Sequence, residues 1–139
     1  MPVTYVPVVV TDVTAYTVKA DNAGLVHYVP DLTATCTFTL PTPKAGLWFE
    51  FVYAGDAADA ANWVITSGSN TYFFKGGLTF HDQDGDVVAP IDGNGSTNSK
   101  LTVNTPEPGT RIRVECANGT NWFLNGSVLS ATVPAFADQ

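Results

Sequence analysis

Apolar and polar residues alternate along most of this chain with a period of two. In residues 35–53, Cys36, Phe38 and Leu40 alternate with threonines, and Leu47, Phe49, Phe51 and Tyr53 alternate with Trp48, Glu50 and Val52. A period of two puts each apolar set on one face of a strand. Pro41 and Pro43 cannot donate to a ladder and Gly46 tolerates positive φ, so residues 41–46 are expected to connect the two strands. This pair is expected at the centre of a β-sheet core.

The rest of the chain reads the same way. Residues 3–10 form an apolar strand or arm that Pro2 and Pro7 confine to a sheet edge or to pairing outside the main sheet. Strands are predicted over 13–20, 25–29, 63–66, 72–75, 78–81, 87–91, 100–104, 110–117, 122–124 and 128–133. The segments 63–66 and 72–75 read as a hairpin, and Asn118-Gly119 and Asn125-Gly126 as turns. In 110–117, Ile112, Val114 and Cys116 are expected to face inward and Arg111, Arg113 and Glu115 outward. A loop with a short helical turn is expected over 55–61 and a flexible loop over 92–99. Turn signals every 8–12 residues fit a sandwich or barrel. The predicted fold is therefore all-β: a single antiparallel β-sandwich or partly closed, jelly-roll-like barrel with at most one short helical turn. Residues 1–12 form an N-terminal strand or arm and 13–139 one β domain.

Composition agrees with that fold and narrows the partners. At 139 residues, 45% hydrophobic and 14% charged, the chain has the make-up of one packed domain. Its formal net charge is −7, and its six Lys and Arg are scattered in sequence. Nucleic acid is not expected as a partner, because no basic stripe is visible, nor is an anionic membrane. The N-terminus has no basic region and no small-residue cleavage site, so no secretory peptide is read there. Cys36 and Cys116 both fall at alternating strand positions and read as buried free thiols; a bridge would require their strands to lie at the right separation.

The candidate chemistry is sparse. His27 shares a strand face with Leu25 and Val29 and reads as a structural imidazole, while His81 could be oriented by Asp82. No nucleophile elbow, phosphate loop or zinc spacing is present, so no enzyme and no cofactor are expected. Asp82, Asp84 and Asp86 alternate on a tight turn and form a weak candidate for a hard cation. The EF-hand pattern fails there, since Val87 and Gly93 stand where glycine and glutamate belong, and a solvated turn is preferred. Three sequons, at Asn94, Asn118 and Asn125, are all Asn-Gly dipeptides that turn geometry explains without a sugar. Trp48, Trp63, Trp122, Tyr72 and Phe73 could stack on sugar rings, although strand spacing favours a core role.

Thr37-Phe38-Thr39-Leu40-Pro41, followed by Ala45-Gly46-Leu47 and an aromatic strand, resembles a signature of small virion proteins of tailed phages, many of them capsid decoration or head-stabilising proteins. The segment Asn118-Gly119-Thr120-Asn121-Trp122-Phe123-Leu124-Asn125-Gly126 and the tail Val133-Pro134-Ala135-Phe136-Ala137-Asp138 are also similar, so the likeness covers about 13–139. The resemblance implies a cement protein made in the host cytoplasm and carried on the outer capsid surface. It would bind at junctions of the major capsid protein, commonly as a homotrimer. Val3, Tyr5, Val6, Val8 and Val10, as a strand-adding arm, and Phe136 are the residues expected at such an interface. A receptor- or carbohydrate-binding module of a tail fibre or spike is the second reading, and would need two of Trp48, Trp63 and Trp122 in one concave patch. A glycan hydrolase built on Glu50 or Glu115 is the third, and would need two carboxylates across a cleft.

Overall fold

The structure, a computed structural model, describes residues 6–139. It is a β-sandwich of two mixed sheets with a single short 3-10 turn at Ala20–Asn22. The strands are β1 (Val8–Val9), β2 (Ala15–Thr17), β3 (Val26–Val29), β4 (Cys36–Thr39), β5 (Trp48–Tyr53) and β6 (Trp63–Thr66). They continue as β7 (Phe74–Asp82), β8 (Val87–Asp92), β9 (Lys100–Val103), β10 (Arg111–Glu115), β11 (Trp122–Ser130) and β12 (Ala135–Ala137). The larger sheet has the order β1-β3-β5-β10-β11-β7-β8 and the smaller β12-β9-β6-β4-β2.

The period of two assigns the core correctly. Phe49, Phe51 and Tyr53 of β5, and Ile112 and Val114 of β10 with Cys116 just beyond it, point inward against Cys36 and Phe38 of β4 and Trp63 and Ile65 of β6. Trp63, Trp122, Phe38, Phe49, Phe51 and Phe74 are the largest side chains sealed between the sheets. Each brings a large apolar area and an edge-to-face or tilted aromatic contact, such as Phe38 with Phe51 at 5.3 Å.

The pairing differs from the expectation. β4 and β5 are not a hairpin: they lie in opposite sheets, as do β6 and β7. From β1 to β6 the chain changes sheet at every connection, so strands two apart in sequence become parallel neighbours. Accordingly β1–β3, β3–β5, β2–β4, β4–β6 and β7–β11 are parallel, and the sandwich is mixed rather than antiparallel. Alternation fixes which side of its own strand a residue faces, not which strand lies beside it. Connections such as 40–47 are long enough to cross the roughly 10 Å between packed sheets.

Three local expectations are also corrected. Asn125-Gly126 is no turn: β11 runs through it and β7 runs through Gly76-Gly77. Gly126 has φ +137°, and a Cβ there would run into the carbonyl oxygen of Arg111 on β10. Glycine serves here as a kink inside paired strands. The helical turn expected over 55–61 is absent. The buried Asp59 carboxylate instead accepts the amides of Leu32 (3.1 Å) and Ala61 (2.9 Å), which holds the segment as a loop. The 92–99 loop is internally tied, because Asn94 Oδ1 accepts the amides of Ser96, Thr97 and Asn98, and Lys75 Nζ donates to the Gly95 carbonyl at 2.7 Å.

Candidate interaction site

Both sheets run along one axis, so the connections gather at two ends of the sandwich. One end carries loops 10–14, 30–35, 54–62, 83–86, 104–110 and 131–134; the other carries 18–25, 40–47, 67–73, 93–99 and 116–121. The register divides the charge between these ends. Asp12, Asp31, Asp56 and Asp59 stand in loops of the first end, joined by Asp82 at the close of β7, Asp84, Asp86 and Glu107. These are eight of the thirteen acids, and none of the chain's four lysines is with them. Lys19, Lys44, Lys75 and Lys100 all lie at the opposite end, with Asp21, Asp92, Asp138 and Glu115, which shares the row of Phe123 and Lys75. The remaining charges, Glu50, Arg111 and Arg113, lie between the ends on the outer face of the larger sheet. The net charge of −7 thus resolves into −8 at one end, zero at the other and +1 between them.

Side chains at the acidic end register that field. The Tyr53 hydroxyl is pushed up to about 12, by burial first and then by Asp59, Asp31 and Asp56. It donates to the Ala57 carbonyl at 2.5 Å. Burial also raises the Asp59 carboxyl above the usual carboxylate range, opposed by its two amide bonds and reinforced by Asp31.

The lysine end is a platform of closed turns. Asn118 Oδ1 accepts the amides of Thr120 (2.9 Å) and Asn121 (3.0 Å), and Gln139 Oε1 accepts the amide of Gly68 at 3.0 Å. Beside these loops is a shallow groove of about 170 Å³, lined by Pro7, Gly24, Leu25, Val26 and Tyr28. The Trp48 ring lies against Gly24 at its margin, 3.7 Å from where a Cβ would stand.

On the outer face of the larger sheet, Glu50 sits opposite Arg113 and Glu115 opposite Trp48 across the β5–β10 ladder. Arg111 Nε pairs with Glu50 at 3.0 Å, Arg113 with Glu115 at 3.6 Å, and the Arg113 guanidinium lies 4.1 Å over the Trp48 ring. Glu50 and Glu115 therefore share one open sheet face and each meets an arginine; they do not confront each other across a cleft. The outer face of the smaller sheet is different in kind. Its rows Ala15–Thr37–Val64–Thr102–Ala135 and Thr17–Thr39–Thr66–Lys100–Ala137 contain no acid.

No protein-family model, curated protein or solved structure matches this chain.

The structure scatters the residues singled out in sequence. Of the expected interface set, Val3 and Tyr5 lie outside the described residues. Val6 is exposed, and Val8 belongs to β1, which pairs with β3 of its own sheet. Val10 is buried in the chain's own core, and Phe136 packs edge-to-face on Phe74 while β12 pairs with β9. Asp82 Oδ1 accepts the amides of Asp84 (3.0 Å) and Gly85 (3.2 Å), so its carboxylate closes the β7–β8 turn. Among the described residues no group of three or more His, Cys, Asp or Glu is placed to hold a metal ion. Trp63 and Trp122 are fully buried, which leaves Trp48 as the one tryptophan at the surface and forms no two-tryptophan platform. Cys36 and Cys116 are buried free thiols. Cys36 lies at the Tyr53 end of the sandwich and Cys116 at the Trp48 end, so their strands bring them nowhere near bridging distance. No helix of the described residues is long and apolar enough to cross a membrane.

The charge division is not legible along the chain because the eight acids come from five separate stretches of sequence. The only sequence signal is their exclusion from strand interiors: apart from Glu50, every acid stands in a loop, in the 3-10 turn or at a strand end.

Proposed function

We propose that this protein is a capsid decoration protein, binding the outer surface of a phage head at junctions of the major capsid protein and stabilising the assembled shell. The reading rests on the sequence resemblance, and the observation that supports it is the division of charge along the sandwich axis. A domain with its whole net charge at one end meets a surface in a preferred orientation, which is what a module that must sit one way up on a shell requires. Contacts made only to the assembled shell stabilise it by linkage, without any chemistry.

Immunogold electron microscopy of the source virions tests this. Gold spread evenly over the head supports the proposal. Gold confined to the tail tip would favour a receptor-binding role instead, and particles with no label would remove the virion reading altogether.

A further inference from the structure

We infer that the acidic end of the sandwich is a docking surface, and that its occupant is a basic patch of another protein with apolar side chains at its centre. The inference deepens the capsid reading and takes from it only the identity of that protein. The end carries eight acids and neither lysine nor arginine, a charge of −8. Among the described residues the ion pairs are Arg111–Glu50 and Arg113–Glu115, so the chain gives none of the eight a cation of its own. A basic surface is drawn to this end, whereas the lysine end, where the charges sum to zero, draws neither sign.

Charge alone would suit any cation, and apolar side chains set among the acids narrow the occupant to a protein. Val87, Val88 and Val133 are 55%, 61% and 49% exposed. Val88 shares a row with His81 and the half-buried Leu129, and Val87 the next row with Asp82 and Ser130. These two valines point to opposite faces of the edge strand β8, so a partner that covers both clasps the end of that strand. Val133 is tied to the second row through Asn104, whose Nδ2 donates to the Val133 carbonyl (2.8 Å) and whose carbonyl accepts the Ser130 hydroxyl (2.6 Å). Acids flank these rows. Asp82, Asp84 and Asp86 lead directly into Val87, and the Glu107 amide donates to the Leu129 carbonyl at 2.8 Å. An apolar centre with a charged rim is the anatomy of a protein interface.

Other occupants fit less well. A metal ion would leave the valines in water, and no three acids converge on one among the described residues. A second copy has no basic face to offer. Pro90 and the flanking acids blunt β8 against strand addition. The surface is also set before contact, since Asp82 Oδ1 holds the amides of Asp84 and Gly85, and Ser130 Oγ that of Thr132.

The test is co-sedimentation of the purified full chain with shells depleted of it, at low and raised salt. Asp84→Lys/Asp86→Asn reverses the local charge, Val87→Ser/Val88→Ser removes the apolar centre, and Lys19→Glu/Lys44→Glu alters the far end. All six positions are exposed, and circular dichroism checks that the fold is kept. The inference expects each of the first two variants to weaken binding about tenfold or more, added salt to weaken the wild type, and the far-end variant to bind like wild type. If the first two bind like wild type, or if only the far-end variant fails, the docking surface is wrong while the capsid reading survives. If shells do not bind the wild type, the capsid reading fails. The surface is then judged on two fluorescent peptides of equal charge, one of lysine and leucine and one of lysine and glycine. Tighter binding of the leucine peptide, lost in Val87→Ser/Val88→Ser, supports it; equal binding of the two, or none, overturns it. A dimer of the purified chain that Val87→Ser/Val88→Ser dissolves would also overturn it, in favour of a second copy as the occupant.

Discussion

At position 27 an imidazole is sealed in the core among Tyr16, Phe49 and Phe51, with ring centroids 5.3 to 6.1 Å apart. Its Nδ1 lies 3.3 Å from the Leu25 carbonyl, and Nε2 has no partner. Burial holds its pKa below the ordinary 6.5, against the smaller upward pull of the Leu25 and Glu50 backbone. The unfolded chain therefore takes up a proton near pH 6.5 that the folded chain resists. The stability this group contributes by staying neutral is complete above that pH and is lost as pH falls below it, with a slope of at most about 1.4 kcal/mol per pH unit. Denaturant unfolding at pH 7.5 and 5.0 should show a larger acid loss for wild type than for His27→Phe, which fills the cage without titrating. Parallel losses would mean that His27 does not set the acid sensitivity. Asp59 is the second residue whose role is wholly tertiary. Asp59→Ala leaves the Leu32 and Ala61 amides without their acceptor and should lower unfolding free energy by about 1–3 kcal/mol, read by urea denaturation.

The elements divide into two kinds. β1 to β6 wind back and forth between the sheets and pair in parallel with the strand two places on, whereas β7–β8 and β10–β11 are hairpins that pair with the next strand. Parallel pairing demands a connection that leaves the sheet, and here the opposite sheet supplies the return path. Where the two kinds meet, β7 lies parallel to β11, and both strands carry glycines at the kink. Gly76 has φ +81°, and a Cβ there would stand 2.7 Å from the Leu124 carbonyl oxygen. Gly126 faces the backbone of β10 even more closely. Gly126→Ala should therefore cost several kcal/mol, more than the roughly 1 kcal/mol typical of a point substitution, because backbone on both strands must move. A thermal midpoint within a degree or two of wild type would show that the kink relaxes without cost.

At the scale of the whole molecule, charge is the organising quantity. Eight acids crowd one end, and their mutual repulsion opposes folding at low ionic strength. Asp56→Asn/Asp84→Asn should stabilise the protein in low salt by a few tenths to about 1 kcal/mol, and the gain should shrink when ionic strength passes about 0.15 M. A gain independent of salt would point to local turn effects instead of the collective field.

What was legible in sequence was local. Alternation at Cys36, Phe38, Phe49, Phe51, Ile112 and Val114 determined the strands, their inward faces and the all-β class, leaving sandwich or barrel to the tertiary structure, because side-chain direction in a strand follows from backbone geometry alone. It also placed His27 in the core and Arg111, Arg113 and Glu115 outside. The turn chemistry of Asn118-Gly119 marked a real hairpin, yet the same dipeptide at Asn125-Gly126 lies inside a strand, since a glycine with positive φ serves a turn and a kink equally well. Strand partners, and with them the parallel winding and the separation of Cys36 from Cys116, were decided only in the tertiary structure. So was the gathering of four lysines at one end and eight acids at the other. Pairing and charge distribution depend on distances between residues remote in the chain, and a pattern of period two carries no information about those distances.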